Sequence, residues 1–102
     1  MPARATKTAL RRSFGAVIRE LRIAAGLSQE QLSFRAKVHR TYVGDLERGL
    51  KSPTLDVVDA ISRALKIEAP ELVATAYRFL ADGQRNDAAH RRQRVPKREA
   101  ET

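Results

Sequence analysis

A chain of 102 residues without cysteine and with two histidines, His39 and His90, has room for one small domain. It excludes disulfide frameworks, thiolate metal sites and cysteine nucleophiles, and no metal site is expected. The net charge of +8 favours a polyanionic partner, nucleic acid first and an anionic membrane second.

Charge and apolar content divide the chain three ways. Residues 1–12 hold four basic side chains (Arg4, Lys7, Arg11, Arg12) and no acid, and are expected to form a basic N-terminal arm. Residues 13–82 hold ten basic and nine acidic side chains and 22 of the 24 Leu, Ile, Val and Phe residues, so the folded domain is expected there. Residues 83–102 hold six basic and three acidic side chains with Val95 as their one large aliphatic residue, and read as a basic, disordered tail. No apolar run reaches the length of about 18 residues that a membrane span needs. No signal-like stretch follows Met1, so the cytoplasm is the expected compartment.

Strand signals are missing, and helical spacing is plain. Leu10, Phe14, Ile18, Leu21 and Ala25 predict a first helix from residue 9 or 13 to 25, with Gly26 at its cap. Ser28 and Gln31 make a capping box for a second helix whose inner residues are Leu32 and Ala36. A break at Lys37-Val38 precedes a third helix from His39 or Arg40 to Gly49, with Val43 and Leu46 inside. Ser52-Pro53-Thr54 forms a loop and cap for a fourth helix facing inward through Leu55, Val58, Ile61 and Leu65. Pro70 suits the first turn of a fifth helix carrying Leu72, Val73, Ala76, Tyr77 and Leu80 and stopping at Gly83. The expected fold class is all-α, with five helices.

Residues 29–48 hold two short helices joined by a three-residue turn, with apolar residues at 32, 38, 43 and 46 and small ones at 33 and 36. That is the helix-turn-helix pattern. Ser33 lets the helices cross closely, Val38 plugs the turn, and Val43 and Leu46 clamp the second helix so that its other face is free for a DNA groove.

With Leu27-Ser28-Gln29-Glu30-Gln31-Leu32, Tyr42-Val43-Gly44-Asp45-Leu46-Glu47-Arg48-Gly49, Ser52-Pro53-Thr54-Leu55 and Ala64-Leu65, residues 14–73 resemble the Cro and lambda-repressor-like, or Xre, family of regulators. His39-Arg40-Thr41-Tyr42-Val43 is most similar to the restriction–modification controller branch. Lys37 and Lys66 stand where that family usually carries glycine; a left-handed Lys37 costs roughly 1 kcal/mol. Both lysines put a cation at a helix C-terminus, which suits the helix dipole.

Arg40, Thr41, Gly44 and Asp45 are expected on the exposed face and N-terminal end of the third helix, as base-reading residues. Arg40 suits guanine or a phosphate, and Thr41 a thymine methyl or a phosphate. Gly44 permits close approach to the DNA or needs no side chain. Asp45 accepts from cytosine or, more in keeping with an acid near phosphate, holds Thr41 or Arg48. The resemblance implies that Gln29 grips a phosphate at a helix N-terminus. His39, Tyr42, Arg48, Lys51 and Ser52 complete the expected backbone contacts, with Tyr42 also packing on the domain. It further implies a structural ion pair between Arg22 and Glu47.

The helix-five stripe is wider than a monomer core needs, so Val73, Tyr77 and Leu80 are the expected contact of a homodimer. The basic segments are expected to add affinity without specificity. No nucleophile–base–acid set and no phosphate loop can be argued, so no enzyme and no cofactor are expected. The function expected is a homodimeric, sequence-specific transcription regulator on a palindromic operator in a mobile element, prophage or restriction–modification system. Its partners are double-stranded DNA and itself, with room for a protein anti-regulator and none for a membrane. The alternative is an antitoxin-like protein-interaction or non-specific nucleic-acid-binding module.

Overall fold

The computed structural model describes residues 6–83, which contain five helices and no strand. They are α1 (Lys7–Ala24), α2 (Gln29–Ala36), α3 (Arg40–Glu47), α4 (Leu55–Leu65) and α5 (residues 69–83). The tail at 84–102, with His90 and its arginines, and residues 1–5 of the arm lie outside the described residues.

Three of the starts have a side-chain cap. The Thr6 hydroxyl accepts from the Ala9 amide at 3.0 Å, so α1 begins at Lys7 and half of the expected arm is helix instead. Ser28 and Gln31 close the capping box of α2 in both directions, at 3.0 and 2.8 Å. Thr54 caps α4 at 3.2 Å. His39 holds the cap position of α3 in extended backbone, but its side chain makes no capping bond.

The ends differ in kind. Gly26 and Gly49 take positive φ, as glycine does at little cost. Lys37 and Lys66 take the same left-handed conformation, at φ 60° each, without that licence.

The core is built where the inward stripes meet. Ile18 of α1, Leu32 of α2, Val43 and Leu46 of α3, Ile61 of α4 and Leu72 of α5 are fully buried. Ala76 and Leu72 seat α5 on this core, and the Ser13 hydroxyl of α1 donates to the Ala76 carbonyl. Leu55, expected inside, is 85% exposed. It is the first residue of α4, and the helix reaches the core from Val57 and Val58 onward, with Ile61 fully buried.

One close approach sets the position of α3. A Cβ on Gly15 would lie 2.1 Å from the Leu46 carbonyl oxygen. Only a residue without a side chain lets α1 pass across the end of α3 at this distance. A Cβ on Gly49 would lie 2.8 Å from Arg12 Cγ, so the N-terminal half of α1 packs on the turn leaving α3.

Candidate nucleic-acid interface

The helix α3 is two-sided. Its inner side sends Val43 and Leu46 into the core, and its outer side exposes Arg40, Thr41 and Arg48. Eight residues make a helix of little intrinsic stability, so its position depends on what holds that inner side.

A polar network does part of the holding. Arg22 grips Glu47 with two bonds, Nε to Oε2 at 2.6 Å and Nη2 to Oε1 at 3.1 Å. Its Nη1 donates to the Leu27 carbonyl at 2.8 Å. Gln29 Nε2 donates to Glu47 Oε1 at 3.0 Å. The Glu47 side chain is 2% exposed and that of Arg22 11%. The network therefore ties α1, the following turn, the start of α2 and the end of α3 in a nearly dry site. Both carboxylate oxygens are satisfied, which a buried charge requires.

This changes the picture for Gln29. The amide hydrogen expected to grip a phosphate is turned inward onto Glu47. Its own backbone N–H and that of Glu30 remain as donors at the start of α2, since neither has an acceptor four residues back inside the helix.

Asp45 is held rather than open. Its Oδ1 accepts from Arg48 Nη2 at 2.8 Å, and Lys51 Nζ lies 3.8 Å from Oδ2. Of the two partners considered from the sequence, Arg48 is the one bonded. Gly44 departs from its expected exposure: it is buried. Arg48 folds back over it, its Nη1 lying 3.4 Å from where a Cβ would stand, and the Gln29 amide lies just beyond at 3.7 Å.

An open concavity of about 670 Å³ flanks α3, lined by Lys37, Val38, His39, Thr41, Tyr42, Asp45 and Lys51. Tyr42 is half-buried and packs on the core beside it. Thus Thr41, Asp45, His39, Tyr42 and Lys51 are brought together here, with Arg48 joined through Asp45. Ser52 is not: it lines a separate apolar groove with Leu10, Arg11, Phe14, Val73 and Tyr77. Leu80, on one helical face with Val73, borders a second hollow with Phe79 and Arg12. Tyr77 is 54% exposed.

Sequence reasoning missed Gly15 and Lys37 as members of this region. A glycine inside a helical stripe was the available signal for the first. The cationic replacement at the turn was the signal for the second.

Comparison with known proteins agrees on the architecture. Residues 18–72 match the family described as helix-turn-helix. The control protein C.BamHI of Bacillus amyloliquefaciens is 38% identical over 65 residues, which is 63% of this chain and 80% of that protein. The restriction–modification controller protein C.AhdI from Aeromonas hydrophila superposes with a TM-score of 0.60 at 45% identity, covering 61% of this chain and 94% of that one. The clp gene regulator ClgR from Corynebacterium glutamicum reaches a TM-score of 0.80 at 23% identity over 85% of this chain and 93% of its own, a likeness of fold. Among the described residues, no helix is long and apolar enough to cross a membrane.

Proposed function

The chain belongs to the Xre-type helix-turn-helix family of DNA-binding transcription regulators, and from that premise we propose that it acts as a homodimer on a palindromic operator. One α3 enters the major groove of each half-site. The observation that carries this reading is the two-sidedness of α3: its inner side is locked by the core and by Glu47, and its outer side offers Arg40 and Thr41 beside a cation-flanked concavity. Arg40, at the exposed N-terminal end, reads a base edge, and Thr41 a methyl or a phosphate. Arg48, Lys51, His39 and the Tyr42 hydroxyl meet the sugar-phosphate backbone, as do the free N–H groups at the start of α2. Asp45 orients Arg48 and Lys51. The likeness to C.BamHI and C.AhdI favours a restriction–modification or related mobile setting.

Dimerisation uses the α5 face. Val73 and the exposed Tyr77 border an apolar groove against α1. A two-fold copy covers this apolar surface. The same axis sets two α3 helices about 34 Å apart, one DNA turn.

The test is selection of duplexes from a random pool, followed by affinity measured across single-base variants of the enriched site. A palindromic site with half-sites one turn apart is expected. Arg40→Ala is expected to cost about 1–3 kcal/mol and to flatten preference at one position. Tyr77→Asp is expected to sediment as a folded monomer and to bind the full site far more weakly. Retention that is salt-sensitive and blind to sequence would overturn the reading in favour of a non-specific or protein-interaction module.

A further inference from the structure

Two lysines in this domain occupy the same unusual backbone position. Lys37 ends α2 at φ 60°, ψ 44°, and Lys66 ends α4 at φ 60°, ψ 42°. The capping bonds match as well. The Lys37 amide donates to the Phe34 and Ser33 carbonyls, and the Lys66 amide to those of Arg63 and Ser62. A residue with a Cβ is disfavoured in this conformation, and glycine is not. Each lysine therefore lowers stability relative to glycine, by the same backbone mechanism.

Their surroundings are opposite. Lys66 borders a hollow with Asp59, Arg63 and Glu68, where two acids balance two cations. Lys37 borders the concavity beside α3, whose other cation is Lys51 and whose single acid is Asp45. Asp45 already has one oxygen on Arg48 and the other toward Lys51. Counting Arg48, that region carries an excess of two positive charges. Lys37 is exposed and makes no ion pair among the described residues. Thr41 and Tyr42 line the same concavity as the two lysines and add uncharged hydroxyl groups to it.

We propose that Lys37 and Lys51 form a two-sided clamp on one phosphodiester of bound DNA, with Lys37 kept in its strained position for the charge it delivers there. A lysine is suited to this: a hydrated point charge on a flexible stem meets a phosphate from many angles, whereas base-edge reading rewards a planar fork. Residue 37 ends α2 three positions before Arg40, so its position is fixed to the reading helix by the turn itself. The clamp thus sets how far α3 enters the groove without contributing to sequence choice. The inference rests on the reading that α3 faces DNA, and it adds a positioning residue that the charge pattern alone does not mark.

The matched pair supplies its own control. The full chain and its Lys37→Gly, Lys37→Arg and Lys66→Gly variants are compared by thermal melting and by fluorescence anisotropy over a range of salt. Two 30-base-pair duplexes serve as probes, one carrying the site that the unaltered chain enriches and one of mixed sequence. Both glycine variants are expected to melt higher, by about 4–8 °C for each kcal/mol of strain released. Only Lys37→Gly is expected to lose DNA affinity. The slope of log affinity against log salt falls by about 0.9 for each protomer bound, which is roughly eightfold in affinity per protomer at 0.1 M salt. Lys37→Arg keeps the slope of the unaltered chain, and the base preferences of all variants coincide. A Lys37→Gly variant with an unchanged slope on both duplexes overturns the clamp, as does an equal loss in Lys66→Gly. If no site is enriched yet Lys37→Gly still loses slope on mixed sequence, the operator reading falls and the clamp stands. If the unaltered chain binds neither duplex, both fall.

Discussion

Asp45 and Glu47 stand two residues apart on one short helix and have opposite lives. Glu47 is buried, gripped by two Arg22 bonds and one from Gln29. Asp45 lies near the surface, held by Arg48 and Lys51, whose side chains are mostly exposed. The same carboxylate chemistry therefore does two jobs. At Glu47 the pairs are dry, and removing one partner strands a buried charge. At Asp45 the carboxylate is 17% exposed but its cations are more than half exposed, so the pairs are worth less, and on the proposed reading Arg48 and Lys51 exchange this acid for a phosphate. The inner side of α3 is built to stay, and the outer side to change partners.

The largest expected break is on the inner side. Glu47→Ala leaves the Arg22 guanidinium nearly buried with only the Leu27 carbonyl, and should cost about 3–5 kcal/mol in chemical denaturation. That is a large share of what so small a domain has, about 4–12 kcal/mol for the described residues at typical values per residue. The combined Arg22→Met, Glu47→Leu variant sharpens the point: it should recover most of the loss, because no charge is left without a partner. A double variant as unstable as the single one would mean that the network's hydrogen bonds to Gln29 and Leu27 matter more than its charges.

Gly15→Ala tests the same inner side through shape alone. The new methyl meets the Leu46 carbonyl oxygen, which is backbone and cannot swing away. A loss of about 2–3 kcal/mol is expected in spite of alanine's better helix propensity. A neutral result would show that α1 slides across α3 freely and that the crossing is not fixed here.

These cases mark what was legible in the sequence. The helix starts at Ser28 and Thr54 were readable because a cap and its target lie three residues apart. The left-handed position of Lys37 was legible through the resemblance, since the family usually carries glycine there; at Lys66 the same missing glycine was noted without its conformation. The Arg22–Glu47 pair was legible through resemblance, since its partners are 25 residues apart and no periodicity joins them. Leu55 was misplaced because a stripe extrapolates past the edge of the core, and helical spacing carries no record of where the neighbouring helix stops. The Gln29 amide and Gly44 stand elsewhere than expected, each because of a neighbouring side chain. Glu47 draws the Gln29 amide inward, and Arg48 folds over Gly44 one turn back, so side-chain contacts decide what the outer surface shows.

Gly44→Ala has a smaller expected effect, and its sign is the informative part. A Cβ would meet only the end of the flexible Arg48 side chain at 3.4 Å and the Gln29 amide at 3.7 Å. The helix gains about 0.5–1 kcal/mol from losing an interior glycine. Melting should therefore rise. If DNA affinity falls at the same time, the glycine serves the approach of the DNA or the pose of Arg48 rather than the fold.

The smallest expected change in stability is on the outer side. Asp45→Asn removes the acid that holds Arg48 and Lys51, and because both cations are more than half exposed, stability should move by less than about 0.5 kcal/mol. Binding should respond more. Without the carboxylate, Arg48 and Lys51 lose a competitor for phosphate, and the local field becomes more positive by one charge. Affinity for a mixed-sequence duplex should rise by a few-fold, most at low salt, because the gain is electrostatic and is screened over about 10 Å at 0.1 M. The base preferences measured against single-base variants should stay as they were, since asparagine keeps the shape and the proposed reading residue, Arg40, is unaltered. A loss of preference at a single position, with no gain on mixed sequence, would instead make Asp45 an acceptor for cytosine and move it from holding other side chains to reading the groove itself.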